Sequence, residues 1–154
     1  MNLRATYDSL REWPKAIDTC RHGLRVSPDN AILLNQLALA LWMDGSHDEG
    51  IEAWRRSIRL DPINLGAHVN LATSLYQLGQ IDAAMEELRK GLDAQPDSED
   101  DYLAHFKLGY IYEQRGAWRD AFREYQQALK LNSDFTPARE QLGQLQRRMK
   151  KSQI

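Results

Sequence analysis

Proline recurs at a fixed step in this chain. Pro28, Pro62 and Pro96 follow one another at intervals of 34 residues, and small residues keep the same stride. Gly45 and Gly79 are 34 apart, as are Gly109 and Gly143, while Ala16, Gly50 and Ala84 make two such steps. A constant interval of this size marks a chain built from one small supersecondary unit. Such a unit cannot bury its own apolar face and must stack on its neighbours.

Composition decides what the unit is made of. The chain holds 21 Leu against 2 Val, 8 Ile and 4 Thr. Sheets use far more β-branched residues, and Leu, Ala, Glu, Gln and Arg favour helix, so the expected class is all-α. Apolar (42%) and charged (27%) fractions are ordinary for a folded protein, which argues against wholesale disorder. Lys and Arg (20) nearly balance Asp and Glu (22), for a net charge of −2. That balance gives no reason to expect nucleic acid or an anionic membrane surface as partner.

Cys20 is the single cysteine, so there is no internal disulfide, and no CxxC or Cys/His cluster suggests zinc. No stretch approaches 18 uninterrupted apolar residues, so no membrane span is expected. Arg4, Asp8, Arg11, Glu12, Lys15 and Asp18 interrupt any apolar leader in the first twenty residues. A single reduced thiol suits the cytoplasm, which is the expected location.

The period frames residues 1–154 as one array. Units fall at 31–64, 65–98 and 102–135, with Glu99, Asp100 and Asp101 inserted before the third. A partial unit, 1–30, precedes them, and a capping helix, 136–151, follows. Met1 falls inside the frame, which leaves two readings: a chain continuing from a longer protein, or a start with a short, frayed first helix. Amphipathic spacing gives nine helices, at 2–10, 14–26, 31–44, 48–60, 65–78, 81–94, 101–115, 118–131 and 137–150. Gly45, Gly79 and Gly116 are placed as C-caps. Asn30, Asn64 and Thr136 (before Pro137) are placed as N-caps.

The same frame carries a family resemblance. One unit reads Leu34, Leu37, Ala38, Leu41, Gly50, Trp54, Pro62; the next His68, Leu71, Ala72, Leu75, Ala84, Leu88, Pro96. The third reads His105, Leu108, Gly109, Tyr112, Ala121, Tyr125, with Ser133 in place of proline. The partial unit supplies Leu3, Tyr7, Ala16, Cys20 and Pro28. This pattern resembles the tetratricopeptide repeat (TPR) family over nearly the whole chain. The resemblance implies a right-handed superhelical solenoid of antiparallel helix pairs, here called A and B, and a non-catalytic module for binding other proteins.

Nothing in the sequence points to catalysis: GxSxG, HExxH, P-loop and GxGxxG motifs are all missing. Cys20 sits at the aromatic position of the repeat and reads as a small buried hydrophobe. His68 and His105 share a repeat position and read as packing residues, since no third metal ligand stands at suitable spacing. The acidic run Asp93, Asp97, Glu99, Asp100 and Asp101 lacks the ligand spacing of a calcium loop and reads as a solvated loop. The basic run Arg147–Lys151 reads as a solvated helix end. No cofactor and no metal are expected.

The resemblance also implies a concave groove lined mainly by A helices. Carried over position by position, the partner-binding residues are Asn35, Leu39 and Trp42 in the first full unit. The second gives Val69, Asn70, Thr73, Tyr76 and Gln77, and the third Phe106, Lys107, Tyr110, Glu113 and Gln114. Ile32, Met43 and Leu103 fall on the same face, and the capping helix is expected to add Glu140 and Gln144. Aromatics among amides suit a peptide or helix, because rings supply contact area and amides grip a backbone.

TPR co-chaperones hold the acidic tails of Hsp70 and Hsp90 through a two-carboxylate clamp, with Lys and Asn in one A helix, Asn in the next, and Lys plus Lys or Arg in the third. Here those five positions read Asn35, Leu39, Asn70, Leu103 and Lys107. Two match, so that role is disfavoured. The alternatives to a groove-binding adaptor are self-assembly into a homo-oligomer through terminal repeats, or a regulatory segment of a larger protein.

Overall fold

Three glycines set where the helices turn back. Gly45, Gly79 and Gly116 have φ of 92°, 77° and 73°, left-handed backbone that glycine alone adopts cheaply. At each the closing pattern is the same. Gly45 N–H donates to the Trp42 carbonyl and Ser46 N–H to the Leu41 carbonyl, and the pairs repeat at Gly79–Gln80 and Gly116–Ala117. This satisfies the last carbonyls of each A helix while reversing the chain.

The computed structural model describes residues 3–95 and 98–151. It contains α1 (Leu3–Val26), α2 (Ala31–Met43), α3 (His47–Leu60), α4 (Leu65–Gln77), α5 (Ile81–Ala94), α6 (Tyr102–Gln114), α7 (Trp118–Leu131) and α8 (Thr136–Lys151). A 3-10 turn, Glu99–Asp101, precedes α6. Among the described residues there is no strand. The fold is the expected all-α solenoid: α2 pairs with α3, α4 with α5, and α6 with α7. Each pair stacks on the next, with α1 and α8 at the two ends.

The helices expected at 2–10 and 14–26 are a single continuous helix, α1 (Leu3–Val26), so the described residues hold eight α-helices where nine were expected. The reason is local. Arg11 stands 34 residues before Gly45, at the position where the other units place their left-handed glycine, and nothing there favours a reversal. Pro14 lies inside the helix, where it lacks an N–H for the carbonyl four residues back, but alone it does not break it.

Asn30 and Asn64 are N-caps as expected. Their Oδ1 atoms accept from Leu33 N–H at 3.0 Å and Ala67 N–H at 3.1 Å. Thr136 differs: it is the first residue of α8, and its hydroxyl donates to the Asp134 carbonyl at 3.4 Å. The insertion Glu99–Asp101 is the 3-10 turn itself. The Asp101 carboxylate accepts from Ser98 N–H at 3.0 Å, and the Ser98 hydroxyl accepts from Asp100 N–H at 3.4 Å. Part of the acidic run is therefore the capping box of the 3-10 turn that leads directly into α6. Pro96 and Asp97 lie outside the described residues.

The core runs along the array rather than sitting at one centre. Trp54, Leu88 and Tyr125, at one repeat position in successive units, are each at most 1% exposed. Full burial of a Leu such as Leu88 contributes about 1.5–3 kcal/mol. Small residues make the close A–B approach. A Cβ on Gly109 would meet the Tyr125 ring at 2.7 Å, and one on Gly50 the Ala38 carbonyl at 3.0 Å. Cys20 is buried beside Ile17, Leu37 and Leu41, and burial pushes its thiol pKa up, consistent with a packing role.

Candidate functional site: a pocket on the A-helix face

Stacking α4 on α6, with α8 behind them, leaves a cavity of about 360 Å³. Thr73, Tyr76 and Gln77 come to it from α4, and Phe106, Lys107, Tyr110 and Ile111 from α6. Ala72 and Leu88 are also among its lining residues. These residues meet because A helices present successive turns at spacings of three and four, and one unit's face abuts the next.

Six residues expected on the groove thus surround one cavity. The Tyr76 and Tyr110 rings stand edge to face with centroids 5.9 Å apart. Burial, and then the neighbouring Tyr110, push the Tyr76 hydroxyl above its usual pKa. Tyr110 is 39% exposed. Phe106 is half-buried, and its ring contacts Tyr125 (5.8 Å) and Phe135 (5.1 Å). Thr73 donates its hydroxyl to the Val69 carbonyl at 2.7 Å.

Among the described residues that line the cavity, Lys107 is the only one with an acidic or basic side chain. It is half-buried, and among the described residues no carboxylate lies within ion-pairing distance of it. Burial pulls its ammonium below the usual lysine range, with no neighbouring charge acting on it.

The remaining groove residues divide. Asn35 and Asn70 are half-buried and hydrogen-bonded to each other, Asn70 Nδ2 donating to Asn35 Oδ1 at 3.2 Å. The same Asn35 oxygen accepts from Trp54 Nε1 at 2.9 Å. These amides tie two repeats together. Leu39 is 42% exposed on α2, and Trp42 is half-buried, stacked on His47 with centroids 4.2 Å apart. Gln114 is exposed at the end of α6.

Val69 and Glu113 do not present open groove surface. Val69 is 4% exposed and packed in the core. Glu113 is 8% exposed because α7 and α8 close over it. Its carboxylate accepts from Tyr125 Oη and from Arg148 Nη1, both at 2.9 Å. Its frame equivalents, Trp42 and Tyr76, are only half-buried, so the terminal helix, not the repeat position, accounts for the difference.

From α8 it is Gln141 that lines the cavity, while Glu140 and Gln144 are exposed. Gln141 was readable from the helix period: it stands four residues before Leu145, the fully buried anchor of α8. His68 and His105 are each turned to a carboxylate on the B helix of their own unit, Glu87 at 2.9 Å and Glu124 at 2.7 Å. Among the described residues no three of His, Cys, Asp and Glu gather as a metal site. No described helix is long and apolar enough to cross a membrane.

No curated protein matches the chain significantly in sequence. Solved structures do match in fold. PilF of Pseudomonas aeruginosa superposes with a TM-score of 0.82 at 18% identity, over 97% of this chain and 67% of that one. MamA from Desulfovibrio magneticus RS-1 superposes at 0.71 and 19% identity, over 96% and 82%. The first TPR domain of Spaghetti (RPAP3), solved with an HSP90 peptide, superposes at 0.68 and 18% identity, over 77% and 92%. Family models for the tetratricopeptide repeat match residues 6–62, 41–105 and 102–135. With the repeated glycine reversals and the stacked A–B pairs, these matches make the chain a member of the tetratricopeptide-repeat family, a protein-interaction fold.

Proposed function

We propose that this chain is a non-catalytic adaptor that holds a peptide segment or helix of a partner protein on its A-helix face. The observation that carries this reading is the gathering of Tyr76, Phe106 and Tyr110 around one cavity, with Gln77 and Gln141 beside them. Partly exposed aromatics with amide neighbours are the composition of a recognition surface, not of a solvated helix face.

The HSP90 peptide bound by the RPAP3 domain does not transfer readily to this chain. Leu39 and Leu103 stand where the acidic-tail clamp needs polar or basic groups, and Asn35 and Asn70 are engaged with each other and with Trp54. A cytoplasmic location, suited to the buried thiol of Cys20, completes the reading.

The test is affinity capture with the full chain and with Tyr110→Ala and Gln77→Ala variants. Loss of the captured partner at unchanged melting temperature supports the groove; equal capture by both variants refutes it. A second reading, self-association, is favoured by Ile32, Leu39 and Met43. They are 64%, 42% and 51% exposed and lie along one stripe of α2. Light scattering over a concentration series decides it, and a constant monomer mass removes it.

A further inference from the structure

Arg21, Arg55 and Arg89 stand at one position of the repeat frame, each 34 residues from the next. Each sits at the B position of its unit, beside the seam with the unit that follows. Two of them are tied across that seam. Arg21 Nη2 on α1 donates to Glu49 Oε2 on α3 at 3.0 Å. Arg89 on α5 donates to the Tyr112 hydroxyl on α6, and its guanidinium carbon lies 6.0 Å from the centre of the Tyr112 ring. Arg55 on α3 has no such tie among the described residues. Ala83 stands at the frame position of Glu49, and Leu75 at that of Tyr112 once the three inserted residues are allowed for. The ion pair that Arg55 makes is with Glu52 on its own helix, at 3.7 Å, longer than a hydrogen bond.

The smaller residues leave this seam open. A cavity of about 370 Å³ lies between α3 and α5, with Arg55 and Ile58 on one side, Ala83 and Glu86 on the other, and Leu71 and Leu75 of α4 at its base. Leu71 and Leu75 are 3% and 5% exposed, so the base is the surface of the core. In the following seam the Tyr112 ring packs against that same core.

We propose that the seam between α3 and α5 is a second docking site, which takes a tyrosine side chain of a partner protein. The ring lies over Leu71 and Leu75, and the hydroxyl accepts from Arg55, as Tyr112 does from Arg89. Charge selects a neutral ligand. Lys90 on the α5 wall already meets Glu86 at 2.9 Å and Glu87 at 3.6 Å, and Arg59 meets Glu52 at 3.2 Å. A carboxylate or phosphate would have to enter beside Glu86 and Glu87. A phenol brings area for the apolar base and one acceptor for Arg55, with no charge to be matched. The site shares no lining residue with the cavity between α4 and α6, so it does not depend on the groove reading.

The probes are acetylated and amidated Ala-Tyr-Ala, Ala-Phe-Ala and the phosphotyrosine form of the first. Each is titrated into the full chain and followed by the NMR signals of the Arg55 side chain, the Leu75 methyls and the Tyr110 ring. The expected result is a preference of about threefold or more for Tyr over Phe, with Arg55 and Leu75 moving and Tyr110 still. Arg55→Gln should bring the Tyr peptide down to the level of the Phe peptide. Leu75→Tyr fills the seam from within the chain and should abolish binding of both. Ala83→Glu, at an exposed position, gives Arg55 the tie that Arg21 has and should remove the preference even where Leu75→Tyr fails to fold. Equal affinity for Tyr and Phe, tighter binding of the phosphorylated peptide, or shifts at Tyr110 in place of Arg55 and Leu75 overturns the proposal. So does a wild-type preference in folded Arg55→Gln or Ala83→Glu, or no response up to the solubility limit.

Discussion

His68 is held as a donor on both ring nitrogens. Its Nδ1 lies 2.9 Å from a Glu87 carboxylate oxygen and its Nε2 lies 3.0 Å from the Pro62 carbonyl oxygen. Both neighbours are acceptors, so only the imidazolium satisfies both contacts at once. Burial lowers the His68 pKa, but the hydrogen bonds to Glu87 and Pro62 and the Glu87 charge outweigh it and the net direction is up. The His68 hydrogen bond, outweighing burial, lowers Glu87.

The pair therefore gives stability a pH window. The histidine contribution is fully present below 6.5, its ordinary value, and is lost as pH rises through the raised folded pKa. The glutamate contribution is present above 4.5 and is lost as pH falls through the lowered folded pKa. Thermal unfolding against pH should show a plateau between those ordinary values, declining on both sides. Glu87→Ala should cost about 1–3 kcal/mol on the plateau and flatten the alkaline decline; an unchanged profile would count against the pair.

Gly109 and Gly143 should respond oppositely to alanine. At Gly109 the new methyl meets a Tyr125 ring already tied to Glu113, and overpacking of this kind costs about 1–3 kcal/mol. At Gly143 the added Cβ meets nothing within 4 Å, and replacing a helical glycine gains about 0.5–1 kcal/mol. Urea unfolding of the two variants checks the contrast.

Tyr125→Phe should keep the packing and remove one donor to a buried carboxylate, at a cost of about 1.5–3 kcal/mol. Burial, then the Glu113 hydrogen bond, hold the Tyr125 phenol well above its ordinary value of 10.0. The unfolded phenol ionises first, so stability should fall as pH rises past that value. Tyr125→Phe should lose this alkaline slope in a denaturant series.

Phe106 and Tyr110 should separate packing from recognition. Tyr110→Ala removes a partly exposed ring and should change stability by no more than about 0.5 kcal/mol. Phe106→Ala opens a gap beside Tyr125 and Phe135 and should cost about 1–3 kcal/mol, below the usual ~3–5 for a fully buried Phe. Calorimetry of both variants, beside the capture assay, shows which loss of binding is a loss of fold.

What the sequence made legible was whatever repeats with the period. Gly45, Gly79 and Gly116 could be placed because each sits one stride from the next or is displaced only by the insertion, and Asn30 and Asn64 because they stand one stride apart, each just before an A helix. The continuity of α1 was readable in principle, since Arg11 stands where a glycine was needed. His68–Glu87 and His105–Glu124 share a spacing of 19 residues, a signal that appears only when A and B helices are compared across units. Glu113 was not legible from its repeat position, because its burial comes from Arg148 on α8, outside the repeating pattern. The cavity on the A-helix face depends on Gln141 of that same helix.

The 3-10 turn at Glu99–Asp101 has a wider consequence. Three residues enter between two units, yet α5 still packs on α6 and the inserted turn carries its own capping box. Each unit packs on the units beside it, so a change in length at such a joint stays local. The joints are thus the places where the array can accept or lose residues without retuning its helices, and the natural sites at which to splice in a sensor or a tag.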